Sequence, residues 1–211
     1  MKRIILLASA ALLVATSLHT AAPAHAADCA DADLMPNQIT VPQFNAATLC
    51  LLNEDRASQG LAPLTESAQL DSSALVHSEE MRRVGFFAHE SPDGSPFQNR
   101  IINTGYLAGT SSWSVGENIA WGSWNLGTPR AINTAWMNSP HHRDNILDPG
   151  YREIGVGSAP GTPTDPNNAG AMIVTHDFGL AVRGLSHPAK KAKKKARAKK
   201  RLKRNKRIHS R

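Results

Sequence analysis

The sequence predicts an α+β fold in which helices pack on an antiparallel sheet. Three observations carry that prediction. Segments with helical spacing come first, β-branched and alternating segments come last, and no long run alternates strand with helix as a parallel βαβ sheet requires. No segment repeats within the chain.

The elements follow in order. A first helix is predicted from Ala46 to Gln59, with Leu49, Leu52 and Arg56 at helical intervals and Gly60 as its stop. A second helix carries Leu70, Ala74, His77, Met81 and Val84 at spacings of three and four. His77 lies on that apolar stripe and is expected to be a core histidine bonded to backbone. The turn-rich "HESPDGSPF" leads into a third helix that begins at Ser95-Pro96 and reaches Asn103. Thr128-Pro129 opens a fourth, which ends near Trp136 and Met137. In "NSPHHRDNIL", Ser139 is expected as an N-cap with Pro140 at the first helical position. His141 and His142 then fall in the first turn, where the helix dipole disfavours the imidazolium. Finally, "REIGVGS" and "AMIVTHDFGLA" read as paired strands around a Gly/Pro/Asn-rich loop, 159–170. His176, in the second of these, is expected to be structural.

Compartment is written at the start of the chain. Lys2 and Arg3 precede an apolar run from Ile4 to Leu18, and Ala24 and Ala26 form an A-x-A cleavage site, so 1–26 reads as a secretory signal peptide. The run is shorter than the roughly 20 residues of a spanning helix, and no later stretch is apolar enough to cross a bilayer. An exported product without a transmembrane segment is expected. Cys29 and Cys50 are the only cysteines. In an oxidising compartment such a pair points to one disulfide, with two separate thiols as the alternative.

The formal net charge of +7 conceals two opposed regions. Residues 27–187 hold 8 Arg, no Lys and all 17 acidic residues, a net −9, whereas 188–211 hold 14 Lys and Arg and no acid. An acidic domain therefore carries a polycationic tail, "KKAKKKARAKKRLKRNKR", without aromatics. Disorder is the expectation for such a composition. Its partners outside a cell are anionic: wall polymer, acidic lipid or extracellular nucleic acid.

Five blocks, "LLNEDRASQGLAPL", "FFAHESPDG", "GENIAWG", "AWMNSPHHRDNIL" and "REIGVG", occur in an order and spacing that resembles the CAP superfamily. That superfamily comprises the cysteine-rich secretory, antigen-five and plant pathogenesis-related proteins, and the resemblance is to its bacterial secreted branch. It implies an α-β-α sandwich with a central antiparallel sheet between helices, and a cleft lined by two histidines and two acids that in some members hold zinc or another divalent metal. Carried over by motif, the metal ligands are His89 of "AHESPDG", Glu117 of "GENIA" and His142 of the "SP-x-H-R" pattern. The fourth position is Ser139, which leaves three of the four groups. The chain then divides into signal peptide 1–26, N-terminal arm 27–45, CAP domain 46–183 and tail 184–211.

Two imidazoles and a carboxylate suit zinc and leave positions open for water. Ser91 and Asn118 are candidate orienting partners. Two other readings stay open. The same residues can brace loops as a hydrogen-bond network without metal. Alternatively, Ser139, His142 and Glu117 have the residue types of a hydrolase triad, although no G-x-S-x-G elbow is present. A zinc hydrolase would also need a general base, for which only Glu90 and Asp144 offer themselves. Trp113, Trp121, Trp124 and Trp136 are expected mainly in the core with one or two at a rim, the alternative being a wall for a lipid or glycan in the cleft. The function that follows is a secreted binding or scaffold protein of the cell envelope.

Overall fold

The computed structural model describes residues 29–183. The expected signal peptide and the Lys/Arg-rich tail lie outside the described residues. Helix α1 spans Val41–Ser58, strand β1 Thr65–Glu66, α2 Ala68–Val84, α3 Phe97–Asn103, β2 Thr110–Ser123, α4 Pro129–Met137, α5 Pro140–Leu147, β3 Glu153–Pro160 and β4 Ala171–Arg183. The strands form one sheet in the order β1-β3-β4-β2. It is antiparallel except for two residues of β1, which run parallel to the start of β3.

Helices cover both faces of the sheet. On one side α1, α4 and α5 pack together, joining Phe44, Leu52, Ile132, Trp136 and Ile146 to the strand residues Val156 and Val174. On the other, α2 lies on β3 and β4, burying Leu70 with Ile101 and Tyr106, and Met81 with Ile119 and Ile173. The "GVG" of β3 explains how closely α2 lies. A Cβ on Gly155 would stand 2.0 Å from the Leu70 carbonyl carbon, and one on Gly157 would stand 2.0 Å from the Leu75 nitrogen. Only glycine lets the helix backbone rest on the strand.

Cys29 and Cys50 are joined in a disulfide with Cα atoms 5.8 Å apart, which ties the N-terminal arm to α1. The first helix starts five residues earlier than the apolar spacing indicates. Thr40 and Gln43 form a reciprocal capping box with Pro42 in the first turn, so the chain enters the helix on polar signals before its apolar stripe begins. The third and fourth helices end where expected, and Thr128 caps α4 by accepting from the Ala131 N–H. Strand β2, the longest, is not among the strands read from sequence. Its middle residues Glu117, Asn118 and Ile119 are all buried, so alternation is lost where the strand is most enclosed. Of the four tryptophans only Trp136 is core; Trp113, Trp121 and Trp124 are about half exposed, contrary to the expectation of mainly core packing.

Candidate functional site

Glu117 lies midway along β2, and the sheet register sets it directly opposite Asp177 of β4, with Gly155 of β3 beyond. The side chain points to the α2 face. Its Oε1 is 2.8 Å from His89 Nδ1 and 3.9 Å from His77 Nε2. Its Oε2 accepts at 2.6 Å from the guanidinium of Arg100, a buried residue of α3. Because a carboxylate only accepts, His89 Nδ1 carries the proton, and in the neutral ring Nε2 keeps a lone pair. His89 is itself about half exposed, so it links the buried acid to solvent.

Arg100 also fixes the segment that presents His89. It donates to the His89 carbonyl at 2.8 Å and to Ser91 Oγ at 3.2 Å, while Ser91 donates to Glu80 at 2.8 Å. Ser91 thus acts on the site through Arg100. His77 meets its expectation as a buried histidine bonded to backbone, with Nε2 2.9 Å from the Ala88 carbonyl oxygen, one residue before His89. Burial lowers the His77 pKa against the opposing pull of Glu117, which favours the neutral ring.

Burial also pushes the Glu117 carboxyl upward, but the His89 hydrogen bond and the Arg100 charge outweigh it and hold the group below its ordinary value. Asp177 shows the opposite balance. Burial raises it well above the usual carboxylate range, and the neighbouring Glu117 charge adds to the effect. Two carboxyl groups thus stand side by side with one guanidinium between the sheet and α3, and the proton favours Asp177.

His142 approaches from the other helical layer, in the first turn of α5. Ser139 occupies the N-cap position but makes no capping bond. Its Oγ lies 2.8 Å from His142 Nδ1 instead, which corrects the expectation of a simple cap. Asn118, whose side chain leaves β2 on the face opposite Glu117, donates to the His142 carbonyl at 3.0 Å and accepts from Asn145 at 2.9 Å. Burial, then the nearby His89 and His141 rings, lowers the His142 pKa and keeps the ring neutral near pH 7. His141, Glu90 and Asp144 are exposed.

The expected residues therefore form two bonded pairs, His89 with Glu117 and His142 with Ser139. The ligand atoms of His89, Glu117 and His142 do not all come within 4.8 Å of one another among the described residues. Ser139, His142 and Glu117 do not make one chain of bonds, since the carboxylate that would orient the base is on the other histidine. Sequence reasoning missed Arg100 and Asp177. For Asp177 the signal was a charge within the largely apolar strand "IVTHDFG"; Arg100, in the half-polar "FQNRII", gave none. His176, beside Asp177, is a core residue 4.6 Å from the Trp136 ring, and burial pushes its pKa down to about 3. A separate cavity of about 830 Å³ lies between α1, α2 and β3, lined by Val41, Leu49, Leu75 and Val156 among others.

A four-stranded sheet between two helical layers, with a carboxylate-anchored histidine and a second histidine at the edge of its longest strand, defines an α-β-α sandwich with an edge site. The chain belongs to the cysteine-rich secretory protein (CAP) family, whose sequence pattern matches residues 49–172. It is 40% identical over 119 residues to the uncharacterized protein YkwD of Bacillus subtilis (strain 168), a match covering 56% of this chain and 43% of that protein. Two solved structures share the fold. An extracellular protein with an SCP domain from Bacillus anthracis str. Ames superposes with a TM-score of 0.50 at 24% identity, over 69% of this chain and 44% of that one. An outer surface protein of Borrelia burgdorferi gives 0.56 at 19% identity, over 68% and 96%. The chain thus spans under half the length of either Bacillus protein. No helix among the described residues is long and apolar enough to cross a membrane.

Proposed function

We propose that this protein works outside the cell as a binding module of the envelope, with His89 and His142 as a two-histidine centre for zinc or another divalent metal. A secretory signal pattern, the Cys29–Cys50 disulfide and the extracellular and outer-surface descriptions of the structural neighbours support the location. One observation carries the site: each imidazole has its Nδ1 2.8 Å from a side-chain oxygen, Glu117 for His89 and Ser139 for His142. The Glu117 carboxylate fixes the Nδ1 proton on His89, and with the Ser139 hydroxyl as acceptor His142 takes the same tautomer, so that both Nε2 atoms keep lone pairs for a ligand. Glu117 fits as such a partner better than as a ligand, because Arg100 and His89 already occupy its two oxygens. A metal held by two histidines keeps positions for water or an oxygen ligand and acts there as a Lewis acid. The tail, 188–211, with 14 positive charges, serves as the anchor to anionic polymer or lipid.

Calorimetric zinc titration and thermal melts of the wild type, His89→Ala, His142→Ala, His141→Ala and Glu117→Gln test the centre. A hundredfold excess of metal over its dissociation constant adds about 2.7 kcal/mol of stability. That gain is expected in the wild type and in His141→Ala, and is expected to vanish in His89→Ala and His142→Ala. Glu117→Gln weakens binding by roughly 10–100-fold. Wild-type affinity in both histidine variants would place any metal elsewhere, and no binding to any protein would leave the cleft as a bracing network.

A further inference from the structure

The sheet leaves one edge bare. Strand β1 covers β3 only at Glu153 and Ile154, so from Val156 onward the outer edge of β3 has no partner strand among the described residues. Two side chains close it instead. Asp71 of α2 accepts the Val156 N–H on Oδ1 at 2.9 Å, and Asn45 of α1 donates from Nδ2 to the Val156 carbonyl at 3.2 Å. The cavity of about 830 Å³ opens along this edge, walled by Val41 and Leu49 on one side and on the other by Leu75, which is 44% exposed. Its polar atoms are of one kind. Asn45 Oδ1 is buried without a hydrogen bond, while Asp71 Oδ2 and the exposed Glu66 carboxylate accept from no residue among the described ones. Asn53 has both ends of its amide bonded to the Leu64 backbone. Apart from the Ser72 hydroxyl, every free polar side-chain atom in the lining is an acceptor.

That inventory selects the occupant. An anionic head would face Glu66 and Asp71, and a wholly apolar body would strip Asp71 Oδ2 of water without supplying a donor. A lysine meets both demands, since its ammonium brings three donors and a positive charge and its four-carbon stem lies along apolar walls. No Lys, Arg or His lines the cavity. The cations on the flanking elements are engaged or distant. Arg56 donates to the Ala62, Ile146 and Asp148 carbonyls and Arg152 to those of Pro149, Gly150 and Tyr151, while Arg82 and Arg83 stand about two turns beyond Leu75. The chain carries lysines of its own within reach. Strand β4 leaves the sheet at the end where β1 lies, because Gly179 is paired with Glu153 and Glu153 with Thr65. Two strand spacings and the residues from Gly179 to Arg183 put Arg183 about 17 Å from Thr65, and the stretch on to Lys190 spans up to about 24 Å. A tether of that length holds the lysines at an effective concentration on the order of millimolar. We propose that the basic run beginning at Lys190, "KKAKKK", docks lysine side chains in the cavity between α1 and α2 against Glu66 and Asp71, so that the domain competes with polyanions for its own tail. The contact depends neither on the histidine centre nor on what the tail anchors.

The test uses the full-length protein at about 20 mM and about 0.5 M salt, the second screening charges beyond contact range. A zero-length carbodiimide joins a lysine amine to a carboxylate it touches, and peptide mass spectrometry maps the junctions. Equal parts of nitrogen-15-labelled and unlabelled protein separate contacts within a chain from contacts between chains. At low salt, junctions from the lysines of 190–195 to Glu66 and Asp71 within one chain are expected to predominate over those to the exposed Asp93 and Asp165, and to disappear at high salt or with excess DNA oligomer. Glu66→Gln combined with Asp71→Asn keeps an acceptor for the Val156 N–H and is expected to bind the oligomer about threefold tighter at low salt, because the tail is no longer shared. Asp93→Asn combined with Asp165→Asn makes the same change in charge away from the cavity and is expected to stay near the wild-type affinity. The wild-type junction map stands whether or not the cavity variant folds. Junctions spread evenly over exposed acids, junctions formed only between chains, or no greater gain in affinity from the cavity variant than from its control would each overturn the proposal.

Discussion

Replacing Arg100 by alanine removes the cation bonded to Glu117 Oε2 and leaves that carboxylate buried beside Asp177. Breaking a buried pair from one side typically costs about 3–5 kcal/mol, because the remaining charge has lost both water and partner. In a domain of this size each kcal/mol moves the melting temperature by about 2–4 °C, so a fall of roughly 6–20 °C follows. The pH dependence gives the sharper signature. In the wild type Glu117 is held below its ordinary value, so its contribution is present above the unfolded pKa of 4.5 and is lost as pH falls through the lower folded one. Without Arg100 the same group, buried next to a second carboxyl, is raised. Its penalty then applies at neutral pH and fades as pH falls toward 4.5. Asp177 is raised in both proteins and favours the folded state at acid pH in both. Urea unfolding at pH 7.5 and pH 5 measures the gap, which is expected to narrow at the lower pH. A loss under about 1 kcal/mol, or a gap that widens on acidification, would refute the ion-pair reasoning.

Two further outcomes follow from covalent structure and charge. Reducing the Cys29–Cys50 disulfide, which spans 21 residues, is expected to cost about 3 kcal/mol and lower the melting temperature, and the denatured exported protein is expected to show no free thiol; two labelled thiols would contradict it. A variant ending at His187 is expected to keep its fold and any metal response but to lose co-sedimentation with anionic vesicles, wall polymer or DNA, while full-length binding falls linearly in log–log terms with salt. Equal binding by both chains, or binding indifferent to salt, would remove the tail as the anchor.

Helices announced themselves in this sequence through caps and spacing, and both late strands through β-branched runs, because each signal is local. Strand β2 was hidden by its own burial. Its first half is Ser-rich and exposed, its middle enclosed on both faces, so no period of two survives. The site was legible only as residue types. His89, Glu117 and His142 could be named from motifs, but the bonds among them depend on register and helix docking, which no local pattern encodes. Ser139 shows the difference. Its place before Pro140 correctly marks the start of α5, yet its hydroxyl serves a ring three residues on rather than the helix backbone.

The edge of β2 is where both helical layers can reach one strand, and strand alternation assigns them different tasks there. Glu117 turns toward α2 and α3 and meets His77, Arg100 and the His89 segment. Asn118, one residue on, turns toward α5 and ties down the His142 carbonyl. The Glu117 carbonyl itself, on the unpartnered side of β2, accepts from Asn145 of α5 at 3.3 Å. Two adjacent residues therefore fix two histidines that arrive from opposite layers, with no strand beyond β2 among the described residues to bury them. A one-residue slip of β2 against β4 would exchange Glu117 and Asn118 between layers, placing a carboxylate under α5 and an amide against Arg100. The buried Glu117–Arg100 pair opposes that slip, since the shifted register leaves both charges without partners. The ion pair thus adds to the buried apolar residues of β2 and β4 in holding the strand register, and with it the relative placement of the two histidines.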